Sequence, residues 1–161
     1  MSIYMKYSSP DVKGNVKTAG FEEQIEVYSL NWGTARAVSV AVGKSGNRES
    51  STPSVSEVTL TKELDNASGG LLKEAFSSST KAKVTFAFVR TDETGSKEYL
   101  TATLTDVAVT AYSIASGGDR PTEQLSLSFI KIEWKFIPVK PDGTDGSAFP
   151  VTYDLTTQKL V

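Results

Sequence analysis

The side chains that could take part in catalysis are mainly carboxylates, because the sequence contains neither cysteine nor histidine. Without these two residue types, thiol nucleophiles, serine–histidine relays and zinc sites built on thiolate or imidazole are excluded. Glu22, Glu23 and Glu26 could supply the paired carboxylates of a glycoside hydrolase. Adjacent strand residues point to opposite faces, however, so we interpret this group as a solvated strand edge. The sequence predicts no catalytic residues, no cofactor and no metal site.

Two glycine-containing segments resemble ligand-binding motifs only in part. Gly43-Lys44-Ser45 matches the end of a phosphate-binding loop, but Val38 stands where that motif requires its first glycine. The segment 142–146, DGTDG, has two carboxylates beside glycines and lacks the third acidic position and the closing glutamate of a calcium loop. We therefore interpret the first as part of a loop and the second as two consecutive turns.

Composition narrows the class of protein. The 161 residues carry a net charge of −2, and no segment clusters enough lysine or arginine to neutralise several phosphates, so we expect no nucleic-acid binding. No apolar run is long enough to span a membrane. The first residues lack the apolar stretch of a secretory signal, so we expect any export to proceed without a cleaved signal peptide. The length predicts one domain, residues 1–161.

The elements that must position any site are mostly strands. In the segment 117–143, Leu125, Leu127 and Phe129 alternate with polar residues, and the alternation then shifts by one residue. The apolar positions after this slip are Ile130, Ile132, Trp134 and Phe136. A slip of this kind is typical of a β-bulge in a single bent strand that follows a curved core.

Similar slips occur near residues 28 and 105, which favours a closed, strongly coiled sheet. One segment has helical spacing: Leu71, Leu72, Ala75 and Phe76 share a face, and Lys73 and Glu74 lie opposite. We expect this helix within about 68–78, with Asp65 or Ser68 as its N-cap. The prediction is an all-β fold of roughly eight to ten strands, a compact β-barrel of two curved antiparallel sheets with one short flanking α-helix.

The polar segment Gly43–Ser54 has no apolar alternation and is longer than a hairpin needs, which indicates either a plain surface loop or a functional projection. Asp119 and Arg120 precede a strand, and we expect them to form a local ion pair or to contact another subunit. Trp32 and Trp134 are predicted to lie in the core. The residues expected to fill the barrel interior are Phe86, Phe88, Phe129, Trp134 and Phe136.

Several short motifs, in this order and spacing, resemble the haemolysin-coregulated protein (Hcp) family, the tube subunits of the bacterial type VI secretion system. The resemblance covers nearly the whole chain. Its motifs are Asp11-Val12-Lys13-Gly14, Asn31-Trp32-Gly33, Thr61-Lys62-Glu63-Leu64-Asp65, Glu98-Tyr99-Leu100, the segment 117–129, and Lys140-Pro141-Asp142-Gly143.

The resemblance implies a phage-tail-tube-like barrel that forms homohexameric rings, and rings that stack into a tube. It implies no enzyme activity, and as partners further copies of the chain, the sheath, the tip spike and effector proteins. The protein would wait in the bacterial cytoplasm and be secreted, with its effectors, when the machine fires. In this family a loop at the place of Gly43–Ser54 is associated with ring stacking, which implies contacts through Lys44, Ser45, Asn47, Arg48 and Glu49.

One alternative remains, a monomeric β-barrel that binds a small ligand in its interior. The bulky side chains predicted inside the barrel argue against this alternative, because they would fill the space that a ligand needs.

Overall fold

The computed structural model describes residues 1–40, 42–43, 48–77 and 79–161. Fourteen strands and one helix lie within them, more strands than expected, because the additional two- and three-residue strands carry little apolar alternation. The elements are β1 Ser2–Ser8, β2 Ile25–Val27, β3 Ser29–Asn31, β4 Thr34–Ala35, β5 Val38–Val40, β6 Arg48–Ser50, β7 Ser54–Val55, β8 Val58–Glu63, α1 Ser68–Phe76, β9 Ala82–Asp92, β10 Gly95–Ala115, β11 Thr122–Ser128, β12 Lys131–Phe136, β13 Phe149–Asp154 and β14 Lys159–Leu160.

The central strand of the fold is β10, which is 21 residues long and bends at Asp106. Asp106 has a φ of +54°, and the register with β9 shifts between Leu104 and Val107, so the slip predicted near residue 105 is a bulge. Before the bend β10 pairs with β9 and β12, and after it with β11. One strand thus belongs to both halves of the sheet.

The segment predicted as one bent strand is two strands, β11 and β12, both antiparallel to β10. They are separated by Phe129 and Ile130, where the apolar phase slips. Ile130 is exposed rather than buried, because its backbone leaves the ladder to donate to Thr105 O (3.0 Å) and to accept from Leu155 N–H (2.9 Å). The slip was predicted correctly, but the continuity of the strand was not.

The sheet does not close into a barrel. β2 pairs with β1 and β3 pairs with β8, and Tyr28 between them donates its N–H to Thr61 O (2.8 Å). Among the described residues, β2 and β3 are therefore linked by the chain itself rather than by a ladder of hydrogen bonds. The antiparallel, all-β architecture is confirmed, and the expected closed barrel is corrected to a strongly bent, open sheet of ten strands.

The helix α1 lies within the predicted range and is the only helix among the described residues. Its N-cap is Ala67 rather than Asp65 or Ser68. Asp65 still contributes, since its carboxylate accepts the N–H of Ala67 (2.9 Å) and its own N–H donates to Ser68 Oγ (3.0 Å). This helix is far too short to cross a membrane.

One face of α1 differs from the prediction. Leu71 is buried, as expected, but Glu74, expected on the solvent side, is buried and accepts a hydrogen bond from the Tyr7 hydroxyl (3.4 Å). Burial, and then the Glu74 carboxylate, raise the pKa of Tyr7 above its usual range. Phe76, expected on the buried face, is 85% exposed.

Both halves of the sheet enclose the core, which is filled by apolar side chains such as Met5, Ile25, Leu60, Phe86 and Leu127. The loop 9–24 covers a second, smaller cluster on the outer face of β1 and β9, where the rings of Tyr4 and Phe21 lie 5.2 Å apart. Within this loop the backbone at Gly14 lies close to that at Gln24. Only glycine permits this approach, because a Cβ at Gly14 would lie 2.3 Å from Gln24 O.

Candidate functional site

The strands β4 to β7 form an arm, a two-stranded ribbon whose strands pair only with one another among the described residues. Gly33 and Ser56 fix its base: Gly33 N–H donates to Ser56 Oγ and Ser56 N–H donates to Gly33 O, both at 2.9 Å. Further out, Ser51 receives the N–H of Ala37 (3.1 Å) and donates its own N–H to Ala37 O (2.9 Å). Serine side chains thus join the two short ladders into one ribbon.

Part of the segment Gly43–Ser54, expected to be a plain surface loop or a functional projection, belongs to the arm, since Arg48–Ser50 is the strand β6. Lys44, Ser45 and Asn47 lie outside the described residues. Arg48 and Glu49 lie on β6, opposite Val40 and Ser39 of β5. The proposed stacking segment is therefore partly strand. This strand could not be predicted from apolar alternation, because β6 contains no apolar residue.

The strands β12, β13 and β14 form a wing, the part of the sheet that extends beyond the core. Exposure on its inner face increases outward along each row of paired residues. In one row, Leu104 and Ile132 are buried, while Leu160 on the outermost strand is 73% exposed. In another row, Phe136 is 46% and Phe149 is 66% exposed. The wing therefore presents an apolar surface to solvent.

Two tryptophans form the floor of this wing face. The rings of Trp32 and Trp134 lie 5.4 Å apart and, with Leu100, Phe136 and Val151, line a shallow hollow that is wholly apolar. Neither indole N–H has an acceptor within the described chain, although both nitrogens are buried. The prediction that the tryptophans and Phe136 lie in the core is thus wrong in part, because the sheet continues past the point where the second half could cover it.

The turn at Asp119 and Arg120 lies at the other end of the sheet. Arg120 approaches Glu63 (3.8 Å), not Asp119, and Glu63 also accepts the hydroxyl proton of Tyr28 (2.9 Å). This hydrogen bond is the main cause that raises the pKa of Tyr28. The expected local ion pair is corrected to a solvent-exposed contact between the turn and β8.

A buried polar cluster, which the sequence reasoning missed, holds α1 against β8 and β11. Lys62 is 0% exposed, and its Nζ donates to Glu123 Oε2 (2.6 Å), Asp65 Oδ1 (2.8 Å) and Glu63 O (2.7 Å). Ser68 Oγ donates to the same Glu123 carboxylate (2.9 Å). The sequence did contain a signal for this cluster. Lys62 occupies one of the alternating buried positions of β8, and Glu123 occupies one of the alternating buried positions of β11.

Tyr112 completes this cluster by donating its hydroxyl to Glu123. Burial and then the neighbouring Glu123 carboxylate raise the pKa of Tyr112 above its usual range. Every charged group here has a partner, as buried charges require, so the cluster fixes the position of α1 and leaves no group free for chemistry.

The carboxylates considered first lie in structural contacts. Glu23 forms an exposed ion pair with Lys13 (2.6 Å). Asp142 accepts the N–H (3.0 Å) and the hydroxyl proton (2.6 Å) of Thr144, which lowers its pKa and fixes a turn. Within the described part of the chain, no three acidic side chains are arranged to hold a metal ion.

Sequence comparison places the chain in a known family. The family described as "Type VI secretion system effector, Hcp" matches residues 4–136. The chain belongs to the Hcp family. It is 29% identical over 156 residues to protein hcp1 of Pseudomonas aeruginosa, an alignment that covers 95% of this chain and 94% of that protein. The family resemblance drawn from the motifs is confirmed.

Solved structures of Hcp-like proteins share the fold. A type six secretion system protein has a TM-score of 0.87 at 22% identity, over 99% of both chains. Hcp1 from Salmonella typhimurium has a TM-score of 0.73 at 22% identity, over 99% of this chain and 98% of its own. Hcp proteins are secreted proteins of the type VI secretion system and structural proteins of its tube.

Proposed function

We propose that this chain assembles into closed rings of six copies, which stack into the inner tube of a type VI secretion system. The observation that carries the proposal is the apolar wing face. Monomeric soluble proteins rarely expose a contiguous apolar surface of this kind, and larger ones mark interaction sites. Because every copy carries the same surface, a ring in which each copy contacts the next would cover all of them.

The ring would be held by sheet faces and strand edges. β14 pairs only with Tyr153 and Asp154 of β13, so much of the outer edge of β13 has no partner strand in the described chain. Exposed edges of this kind favour pairing with another chain. The turn at Asp119 and Arg120 is a further candidate contact, since the ion pair of Arg120 with Glu63 is long (3.8 Å) and exposed.

Stacking requires a second contact, from the front of one ring to the back of the next. The segment 44–49 suits this role, because Lys44, Arg48 and Glu49 supply charges of both signs within a short stretch of sequence. Ser45 and Asn47 would add hydrogen bonds. We expect stacking to be weaker than ring closure, since it rests on polar contacts that water also satisfies.

The tube would be a structural component with no reaction of its own. Sheath, tip spike and effector proteins would be its partners during firing. The protein would reside in the bacterial cytoplasm beforehand and leave through the machine.

The test of this proposal is to replace Lys44, Arg48 and Glu49 with serine, which removes the charges but keeps the pairing of β5 with β6, and to compare the assemblies by electron microscopy. We expect the wild-type protein at high concentration to form rings and stacked tubes, and the variant to form rings alone. Long tubes from the variant, or loss of its rings, would contradict the assignment of stacking to this segment.

A further inference from the structure

Among the described residues, apolar side chains are exposed on the wing face around Trp32 and Trp134 and on the arm, where Val38 of β5 is 53% exposed and Val42, just after β5, is fully exposed. We propose that, within the assembled ring, β5 of one copy packs on the wing face of its neighbour. This inference rests on the proposed function and identifies the partner of the wing.

The occupant must be apolar and extended. The hollow between the tryptophans and Val151 contains no polar lining residue, so a charged occupant would be desolvated there without compensation. The surface is also one face of a sheet, which matches an extended ribbon better than a globular knob. Two valines exposed on such a ribbon supply the apolar side chains that this surface lacks.

The described residues of the arm do not cover the wing of the same copy. Its base is fixed at Gly33 and Ser56, and its strands pair with each other rather than with β12 or β13. Thr52 reaches only the turn before β14, where its hydroxyl lies 3.5 Å from Gln158 Oε1. Residues 34–39 remain exposed. A second copy is therefore the source of the ribbon.

The unpaired indole N–H groups support the same occupant. A buried donor without an acceptor is unfavourable, and the floor of the wing face contains two, on Trp32 and Trp134. A ribbon carries backbone carbonyls along its free edges. We expect the docked ribbon to offer these carbonyls to the two indole N–H groups, which the described residues leave without an acceptor.

The two halves of the arm would then have different roles. The strand β5, with Val38, would close the ring, and the segment 44–49 would keep its proposed role in stacking. An apolar contact is suited to the permanent interface, and a charged one to the reversible interface.

Disulfide crosslinking tests this inference directly, because the chain has no cysteine of its own. Val38→Cys and Val151→Cys chains, one of them carrying a tag, are co-expressed, purified as rings at a concentration too low for stacking, and oxidised. The matched control pairs Val38→Cys with Lys135→Cys, because Lys135 lies on the neighbouring strand with its side chain on the opposite face. Phe149→Cys replaces Val151→Cys if that variant folds poorly.

We expect about ten-fold more linked heterodimer from the first pair than from the control, because a disulfide requires Cα atoms within about 7 Å. A chain carrying both Val38→Cys and Val151→Cys should give a ladder that ends at the size of one ring. Intact rings that give no heterodimer, equal yields from both pairs, or crosslinks only in stacked tubes would overturn the inference and leave the ring itself standing. A wild-type protein that remains monomeric would overturn the proposed function as well.

Discussion

Gly69 and Gly70 are adjacent in α1 but have different surroundings. A Cβ at Gly69 would meet no atom within 4 Å, whereas one at Gly70 would lie 2.9 Å from Val12 Cγ1. We predict that Gly69→Ala stabilises the fold by about 0.5–1 kcal/mol, because alanine favours the helix. Gly70→Ala should destabilise it by about 1–3 kcal/mol through overpacking. Thermal unfolding of the two variants gives opposite shifts if the packing is as described, and two shifts of the same sign would contradict it.

Lys62 lies at the centre of the buried polar cluster, so its removal should be more damaging than removal of the whole ion pair. We predict that Lys62→Met lowers the free energy of unfolding by about 3–5 kcal/mol, since Glu123 and Asp65 would lose their buried cation. The double variant Lys62→Met with Glu123→Gln should recover part of the loss. Urea unfolding measures both values. A single variant as stable as the wild type would show that the cluster does not hold α1.

The burial of single residues was predicted correctly where a residue is both apolar and buried. It was predicted wrongly for charged residues that are buried and for apolar residues that are exposed. Leu125 and Leu127 are buried at the alternating positions expected. Lys62 and Glu123 occupy equivalent positions on neighbouring strands, but alternation counts only apolar residues and so missed a buried ion pair. Phe136 is the opposite case. Its position in the apolar alternation predicts burial, but it is exposed because its end of β12 extends beyond the core.

Substitutions on the wing face should affect the association of subunits and leave the stability of each subunit almost unchanged. Phe149 is exposed in the isolated chain, so Phe149→Ser should change the thermal stability of the subunit very little. Its loss should weaken association by about 2–4 kcal/mol if the ring buries it as an anchor. Lys135→Ser, on the opposite face of the wing, is the control. The two variants are compared by native mass measurement and circular dichroism, and equal assembly of both would exclude the wing face as the ring contact.

At the level of elements, the phase slips were the most informative feature of the sequence. The three predicted positions correspond to the change of partner at Tyr28, the bulge at Asp106 and the break at Phe129–Ile130. The strands of the arm were harder to predict from the sequence, because strands such as β6 and β7 are stabilised by pairing and by serine side chains rather than by an apolar face. After β13 the chain adds the two-residue strand β14, which pairs with Tyr153 and Asp154.

For the whole molecule, composition and periodicity were enough to predict the all-β class and the single helix, and the order of the motifs was enough to predict the family. Closure of the sheet was not predictable, because the same phase slips occur whether β2 and β3 meet through a ladder or through the chain alone. The open sheet is also what leaves a wing for another copy to cover. This exposed apolar surface is what we expect of a subunit if the chain assembles into the proposed ring.

Native mass measurement of the unmodified chain at micromolar concentration tests whether the protein forms the proposed closed ring. We expect one dominant species of about six times the 17.3 kDa subunit mass, with no intermediate ladder, because a closed ring covers every wing face at once. A folded protein that remains at the mass of one 17.3 kDa chain under these conditions would exclude the ring.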